Sequence, residues 1–350
     1  MPYGELLLLS PDEYRSKYLS NTPVVILYLP KNWKKSQKRY PVLYAHDGQN
    51  LFDARTSFVG EWYLDDVIES LRKKGLLSEM IVAGIYNNGI NRMHEYTPSI
   101  MPIGNGMNQG GLLDKHGKFI VEELKPYLDE RFPTDKTRES TGLIGSSLGA
   151  LASFYLLGKY PEIFSKAAVL SPSFWWNNVG VLQDIEKLKF PKDVKIYIDG
   201  GWKEGEDESG MIALMRRVYH KLKEKGLKDM DNLFYYEDPE GIHNEKDWTR
   251  RSPMALLYLY GKFSRKIQEF KIQLLIKEGF HKTQIFALPV LKLRHGMLFT
   301  ALSSNFRSNK PDMLKVSENG EIIPLSHSSS WFIEANYESH KSRISLPGMK

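Results

Sequence analysis

The sequence of 350 residues contains no cysteine, which excludes disulfide frameworks, thiolate metal sites and cysteine nucleophiles at one stroke. None of its nine histidines stands in a His-Glu-x-x-His or His-x-His spacing, so no metal site is expected. No apolar run approaches the ~20 residues needed to cross a bilayer. The leucine run Leu6–Leu9 has no basic residue before it and is too short for the core of a secretion signal. A cytoplasmic protein without a membrane span is the expectation, although a trimmed secreted chain would read the same way. Internal repeats and low-complexity linkers are also missing. So is a concentrated basic patch: the net charge is +6, but its carriers (Lys31, Lys34, Lys35, Lys38, Arg39, and again Lys221, Lys223, Lys225) are scattered and elsewhere interleaved with acids. That pattern describes a solvated surface and not a nucleic-acid footprint. Gly104-Asn105-Gly106 continues to Gln109, where a dinucleotide fingerprint needs glycine. No cofactor is expected.

What is present is a globular composition, 41% hydrophobic and 26% charged, ample for a sizeable core. The first two-thirds alternate short β-rich runs with helical patterns, the rhythm of a mostly parallel sheet with helices on both faces. Strands are expected over Val24–Leu29, Val42–Ala45, Met80–Tyr86, Thr141–Ile144, Lys166–Leu170, Lys195–Ile198 and Leu233–Glu237. Several are continuous apolar runs, as strands covered on both faces should be. Helices are expected over Glu61–Lys74, Gly117–Glu130, Leu148–Gly158, Ser209–Lys225 and Pro253–Lys266. After about residue 266 the pattern turns β-like (Phe270–Ile276, Thr283–Leu288, Met297–Leu302, Ile322–Leu325, Trp331–Ala335), with Asn319-Gly320 suggesting a hairpin. The reading is an α/β domain over 1–265 and a β-rich extension of unassigned role over 266–350.

The sharpest local signal is Gly145-Ser146-Ser147-Leu148-Gly149, with a strand pattern ending before it and a helix pattern starting inside it. Such a turn presents its middle serine above the carboxyl edge of the sheet. Glycines two places to either side are needed because strand and helix pass too closely for a Cβ. The N–H of Leu148, at the helix start, would face a developing oxyanion. Ser147 is therefore the candidate nucleophile, since Ser146 lacks the flanking glycines.

A serine needs a positioned base. In a fold of this kind the base comes last, in a loop after the final strand. His243 stands there, behind Asp238-Pro239-Glu240-Gly241. His220 lies in a Lys/Arg-rich helix and reads as solvated. The carboxylate that would orient the imidazole belongs after Lys195–Ile198. Spacing leaves Asp199, Glu204 and Asp207 open. A second oxyanion donor belongs after Val42–Ala45, where Gly48 lets the backbone come close and the N–H of Gln49 is the candidate. Asp47 reads as a brace of that loop.

The segments Tyr40-Pro-Val-Leu-Tyr-Ala-His-Asp-Gly-Gln-Asn-Leu-Phe52, Glu61-Trp62, Asn91-Arg92-Met-His-Glu95-Tyr96-Thr97-Pro98, Ser171-Pro-Ser-Phe-Trp-Trp176 and His243-Asn244-Glu245-x-x-Trp248 resemble the putative-esterase family. That family groups enterochelin, feruloyl and acetyl-xylan esterases, S-formylglutathione hydrolases and mycolyltransferases. The resemblance covers about residues 15 to 262. It implies an α/β-hydrolase fold with nucleophile Ser147, base His243 and oxyanion donors Gln49 and Leu148. The family's acid turn falls on Gly201-Trp202-Lys203-Glu204, which implies Glu204. Trp202 departs from the small residue usual there and keeps Asp207 in reserve.

The implied activity is hydrolysis of a carboxylic ester, on a small-molecule or glycan-linked substrate. Acyl transfer by the same residues is the alternative, and a non-catalytic binding scaffold is a further one. Trp175 and Trp62 are candidates to stack on the substrate, against the plainer reading that each packs beneath a loop. Arg92 is a candidate to meet a substrate carboxylate, against a plain pair with Glu95. The sequence leaves the natural ester and the oligomeric state open.

Overall fold

The computed structural model describes residues 4–57, 59–104, 106–204, 208–278, 283–317, 319–325 and 330–347. Its leucine-rich start is a strand that sequence patterning missed. β1 (Glu5–Leu9) pairs antiparallel with β2 (Val25–Leu29), Glu5 opposite Leu29 and Leu9 opposite Val25. The remaining strands of the same sheet are β3 (Val42–His46), β4 (Ile81–Ile85), β7 (Thr141–Ser146), β8 (Lys166–Leu170), β9 (Lys195–Gly201) and β10 (Leu233–Asp238). Between β4 and β7 an unexpected two-stranded hairpin intervenes, β5 (Ile100–Gly104) with β6 (Met107–Gly110).

The eight strands run in the order β1-β2-β4-β3-β7-β8-β9-β10. β2 is antiparallel to β4, whereas β3 is parallel to both β4 and β7, and β7-β8-β9 continue in parallel. β2, β3, β4 and β7 are buried along their whole length, as their uninterrupted apolar runs require. The carboxyl ends of β3, β7, β8 and β9 therefore open side by side.

The helices are α1 (Leu64–Lys73), α2 (Arg92–Glu95), α3 (Leu113–Lys118), α4 (Lys125–Arg131), α5 (Leu148–Lys159), α6 (Trp176–Val179), α7 (Val181–Asp184), α8 (Glu208–Glu224) and α9 (Glu245–Tyr260). A π-helical segment, Phe119–Leu124, joins α3 to α4, so the helix expected from Gly117 begins four residues earlier. Every residue of α5 except Lys159 is buried.

The last helix corrects the sequence reading: it starts at Glu245 and ends at Tyr260, with Pro253 inside it. The Asn244 side chain accepts from the Asp247 N–H at 2.9 Å and sets the start. Pro253 cannot donate to the carbonyl of Thr249, four residues back. The Ser252 hydroxyl donates to that carbonyl instead, at 2.9 Å. A proline that usually marks a boundary is thereby accommodated within the helix.

The chain divides into two compact units, Met1–Phe234 with Glu240–Lys262, and Tyr235–Pro239 with Phe263–Lys350. In the second, β11 (Ile267–Glu278), β12 (Thr283–Leu293), β13 (Leu298–Thr300), β15 (Leu314–Val316) and β16 (Glu321–Pro324) form one sheet. β14 (Asn305–Ser308), β17 (Ser330–Tyr337) and β18 (His340–Pro347) form another. Ile272, Ala287, Leu314 and Ile322 of the first sheet share a core with Trp331, Ile333 and Ala335 of the second. Asn319-Gly320 does sit between paired strands, but the upstream one is Leu314–Val316, too short to stand out by pattern.

Two imidazoles are enclosed in the first unit. His116 has no exposure, and among the described residues neither of its ring nitrogens has a hydrogen-bond partner. Its ring lies 5.3 Å from that of His46 and 5.2 Å from that of Tyr96. Burial pushes His46 down to about 4 despite the opposing pull of Asp47. It drives His116 well below the ordinary histidine value, and the neighbouring His46 adds to this. Both are therefore neutral in the folded state, whereas the unfolded chain takes up protons near 6.5. Their contribution is fully present above that value and is lost as pH falls toward the folded pKa. Replacing His116 by phenylalanine should remove part of that loss. The gap in urea midpoint between about pH 8 and about pH 5 should narrow relative to wild type. An unchanged gap would show that His116 is not the excluded charge.

Candidate active site

Ser147 occupies the turn between β7 and α5 with φ 55° and ψ −121°, a strained conformation for a residue with a side chain. The approach that forces this turn is direct. A Cβ on Gly145 would lie 2.4 Å from the carbonyl of Gly149, and one on Gly149 would lie 2.9 Å from the His46 Cβ. The backbone N–H of Ser147 donates to the Leu170 carbonyl at 3.0 Å. Its hydroxyl lies 3.3 Å from that of Ser173. Leu148 is the first residue of α5, where backbone N–H groups have no intrahelical acceptor.

Ser147 shares a cavity of about 540 Å³ with Asp47, Gln49, Arg92, His243, Glu245 and Trp248 among its lining residues. The His243 Nδ1 lies 2.8 Å from Glu204 Oε2. Edge-on contact with Trp248, ring centres 5.0 Å apart, fixes the plane of the imidazole. Glu204 has a fully buried side chain. Its other oxygen, Oε1, accepts from the Ser171 hydroxyl at 2.7 Å, the Gly201 N–H at 2.7 Å and Arg251 Nη2 at 3.0 Å. Burial by itself would raise the Glu204 pKa. The hydrogen bond with His243, the Arg251 charge and the Ser171 hydroxyl outweigh it and hold the carboxyl below its ordinary value. Of the other two carboxylates the spacing allowed, Asp199 is bound to Arg251 and Tyr197, and Asp207 lies outside the described residues.

The loop after β3 is held from two sides. Asp47 accepts from Arg92 Nε at 2.7 Å, from Arg92 Nη2 at 2.8 Å and from Asn87 Nδ2 at 2.7 Å. Arg92 is therefore paired with Asp47 and not with the nearby Glu95, which is buried and holds Asn88. Burial would raise Asp47, but the charge and hydrogen bonds of Arg92 keep it below its ordinary value. Gln49 is anchored by its Oε1, which accepts from the Asn87 N–H at 3.2 Å. Gly48 is a necessity here, because a Cβ would stand 2.4 Å from the Gly84 carbonyl.

Neither tryptophan marked by sequence lines the cavity. Trp62 is buried against Trp248, ring centres 5.9 Å apart, and Trp175 is 46% exposed beside Trp176. Sequence reasoning missed Arg251, Ser171 and Trp248 as one constellation. Trp248 Nε1 and Arg251 Nη2 both donate to the Ser171 hydroxyl, at 2.9 and 2.8 Å. Their spacing of three on α9 was the available signal.

A strand–serine–helix elbow at the carboxyl edge of this mixed sheet, with a histidine on the loop after its last strand, defines an α/β hydrolase. The family described as Putative esterase matches residues 16–258, and the chain belongs to it. It is a carboxylic ester hydrolase. The chain is 29% identical over 244 residues to the uncharacterized protein YbbA of Bacillus subtilis, spanning 67% of this chain and 92% of that one. It is 26% identical over 210 residues to the ferri-bacillibactin esterase BesA of the same organism, spanning 54% and 70%. Its fold matches that of an IroE-like serine hydrolase from Shewanella oneidensis with a TM-score of 0.59 at 22% identity, covering 73% of this chain and 80% of the other.

The loops that carry Glu204 and His243 meet through backbone. Lys203 N–H donates to the Gly241 carbonyl at 3.0 Å, and a Cβ on Gly201 would lie 2.1 Å from that oxygen. Gly201→Ala must therefore push the Glu204 loop away from the His243 loop. The variant should lose roughly 1–3 kcal/mol of stability, as overpacked sites do. Its kcat should fall by more than its KM changes. Urea unfolding together with steady-state kinetics on a soluble ester tests this, and wild-type behaviour in both would refute it.

Proposed function

We propose that the chain hydrolyses its ester through Ser147, His243 and Glu204, by way of an acyl-enzyme. The observation that carries this reading is the 2.8 Å contact of His243 with the buried Glu204, beside a serine strained at the head of α5. With Nδ1 committed to Glu204, Nε2 is the ring nitrogen available to the nucleophile.

His243 takes the Ser147 proton as Oγ adds to the ester carbonyl. The oxyanion so formed is held by the N–H groups of Gln49 and Leu148. Collapse breaks the bond to the alcohol oxygen, which leaves with the proton from His243. Water then adds to the acyl-enzyme with His243 again as base, releasing the acid and restoring Ser147. Glu204 stays ionised throughout and stabilises the imidazolium. The Arg92–Asp47 pair supports this by fixing the loop that offers Gln49.

The substrate class that fits is a small-molecule ester, in keeping with the cavity and with the named activity of BesA. In this reading Arg92 contacts the substrate only through what its pairing with Asp47 leaves free. Trp175 offers an exposed aromatic face outside the cavity, and Trp62 acts from behind, through Trp248.

Ser147→Ala should lower turnover of a short-chain p-nitrophenyl ester on the order of a million-fold, because the members of such a set act as a unit. It should also abolish labelling by a fluorophosphonate. Labelling that persists in the variant would assign the nucleophile elsewhere.

A further inference from the structure

Behind Glu204 lies a second layer of charge that the mechanism above does not use. Arg251, on α9, is fully buried, and its two terminal nitrogens reach different carboxylates: Nη1 to Asp199 Oδ1 at 2.8 Å, and Nη2 to Glu204 Oε1 at 3.0 Å. Asp199, at the end of β9, has no exposure either, and its Oδ2 accepts from the Tyr197 hydroxyl at 2.8 Å. Glu204 thus has one oxygen held by Ser171, Gly201 and Arg251 and the other by His243.

A guanidinium directly behind the acid poses an electrostatic problem. It fixes the carboxylate, yet its positive charge opposes formation of an imidazolium on the far side of Glu204. Asp199 answers that problem, because it lies against the same guanidinium and carries the opposite sign. We infer that Asp199 and Arg251 are positioning residues that act through Glu204. Arg251 locks the carboxylate's orientation, while Asp199 offsets the guanidinium so that the charge of Glu204 remains available to protonated His243. The inference rests on His243 serving as the base.

The groups facing His243 among the described residues can be named. Glu204 meets Nδ1 and Trp248 meets the ring. Asp47, Arg92 and Glu245 line the shared cavity. Asp199 and Arg251 stand behind Glu204. Burial raises Glu245 above its ordinary value, and the charge of Asp47 adds to this. That group is unchanged in the comparisons proposed below, so it does not confound them.

The two residues make opposite predictions. Removing the negative charge of Asp199 takes away what offsets the guanidinium, disfavours the imidazolium formed in the reaction and moves the acid limb of the pH–rate profile to lower pH. Removing the positive charge of Arg251 does the reverse. The test is the pH profile of kcat/KM for p-nitrophenyl acetate, read at the nitrophenol isosbestic wavelength, for wild type, Asp199→Asn, Arg251→Gln, Arg251→Lys and the double variant Asp199→Asn/Arg251→Gln. The acid limb should move down in Asp199→Asn and up in Arg251→Gln, each by about one pH unit, the size expected of a buried unit charge several ångströms away. Arg251→Lys and the charge-balanced double variant should both return the limb toward wild type, even where kcat stays low.

Limbs that stay fixed, or that move in the same direction in both single variants, would overturn the inference. If Arg251→Gln does not fold, Asp199→Asn and the double variant still decide the matter. Ser147→Ala and His243→Gln belong in the same series. Activity retained by either sinks the reading of the site itself, whereas their inactivity with unmoved limbs sinks only the role given to Asp199 and Arg251.

Discussion

A carboxylate with no exposure cannot stay ionised unless the protein supplies what water would have supplied. Much of the architecture around Glu204 follows from that requirement. Its side chain is shut in behind the edge of the sheet, and four donors converge on it from four parts of the chain. They are Ser171 after β8, Gly201 at the end of β9, His243 on the loop before α9, and Arg251 within α9. None of these segments can shift alone without leaving an oxygen or a donor unpaired. The same contacts that keep the carboxyl ionised therefore fix the register of α9 against the sheet, and with it the place of the imidazole.

The Asp47 side of the cavity is built on the same logic with a smaller cast. Asp47 is buried and follows β3 in a left-handed conformation, φ 57°. It holds its charge because Arg92 and Asn87 both donate to it. The result is a loop whose backbone is fixed by a pair of charges that nearly cancel. Fixing backbone this way suits the oxyanion-donor role proposed for the Gln49 N–H.

The parts legible in sequence were those whose signal is local. Strand, glycine, serine, glycine and helix fall within a dozen residues around Ser147, and the steric rule behind the pattern needs no tertiary knowledge. His243 was legible from chain order, because its place after the last strand of the sheet is a property of topology. Glu204 needed the family resemblance, since spacing alone could not rank it against its neighbours. Arg251 and Asp199 were illegible for a physical reason: their meaning lies in a contact 52 residues apart, between a strand end and a helix face. Reading Pro253 as the helix start hid that face, because nothing in the sequence says that Ser252 will satisfy the carbonyl a proline leaves free. The Arg92 pairing failed similarly. Glu95 is three residues away and Asp47 forty-five, and local proximity pointed to the wrong acid.

Two strained serines stand at the tips of adjacent parallel strands, Ser147 after β7 and Ser171 after β8, with φ of 55° and 47°. Each such conformation costs on the order of 1–3 kcal/mol and persists only where its surroundings over-determine it. Here the sheet's own hydrogen bonding continues past its formal ends. Ser147 donates to the Leu170 carbonyl, Ser171 to that of Asp199, and Ser173 back to that of Ser147. The ladder that makes β7, β8 and β9 a sheet thus also holds the elbow and the residue bridging Glu204 to Trp248. Strain at Ser147 is offset by the same bonds that position Ser171, so the Ser147 turn and the hydrogen-bond partner of Glu204 are set by one continuous piece of backbone rather than by two independent loops.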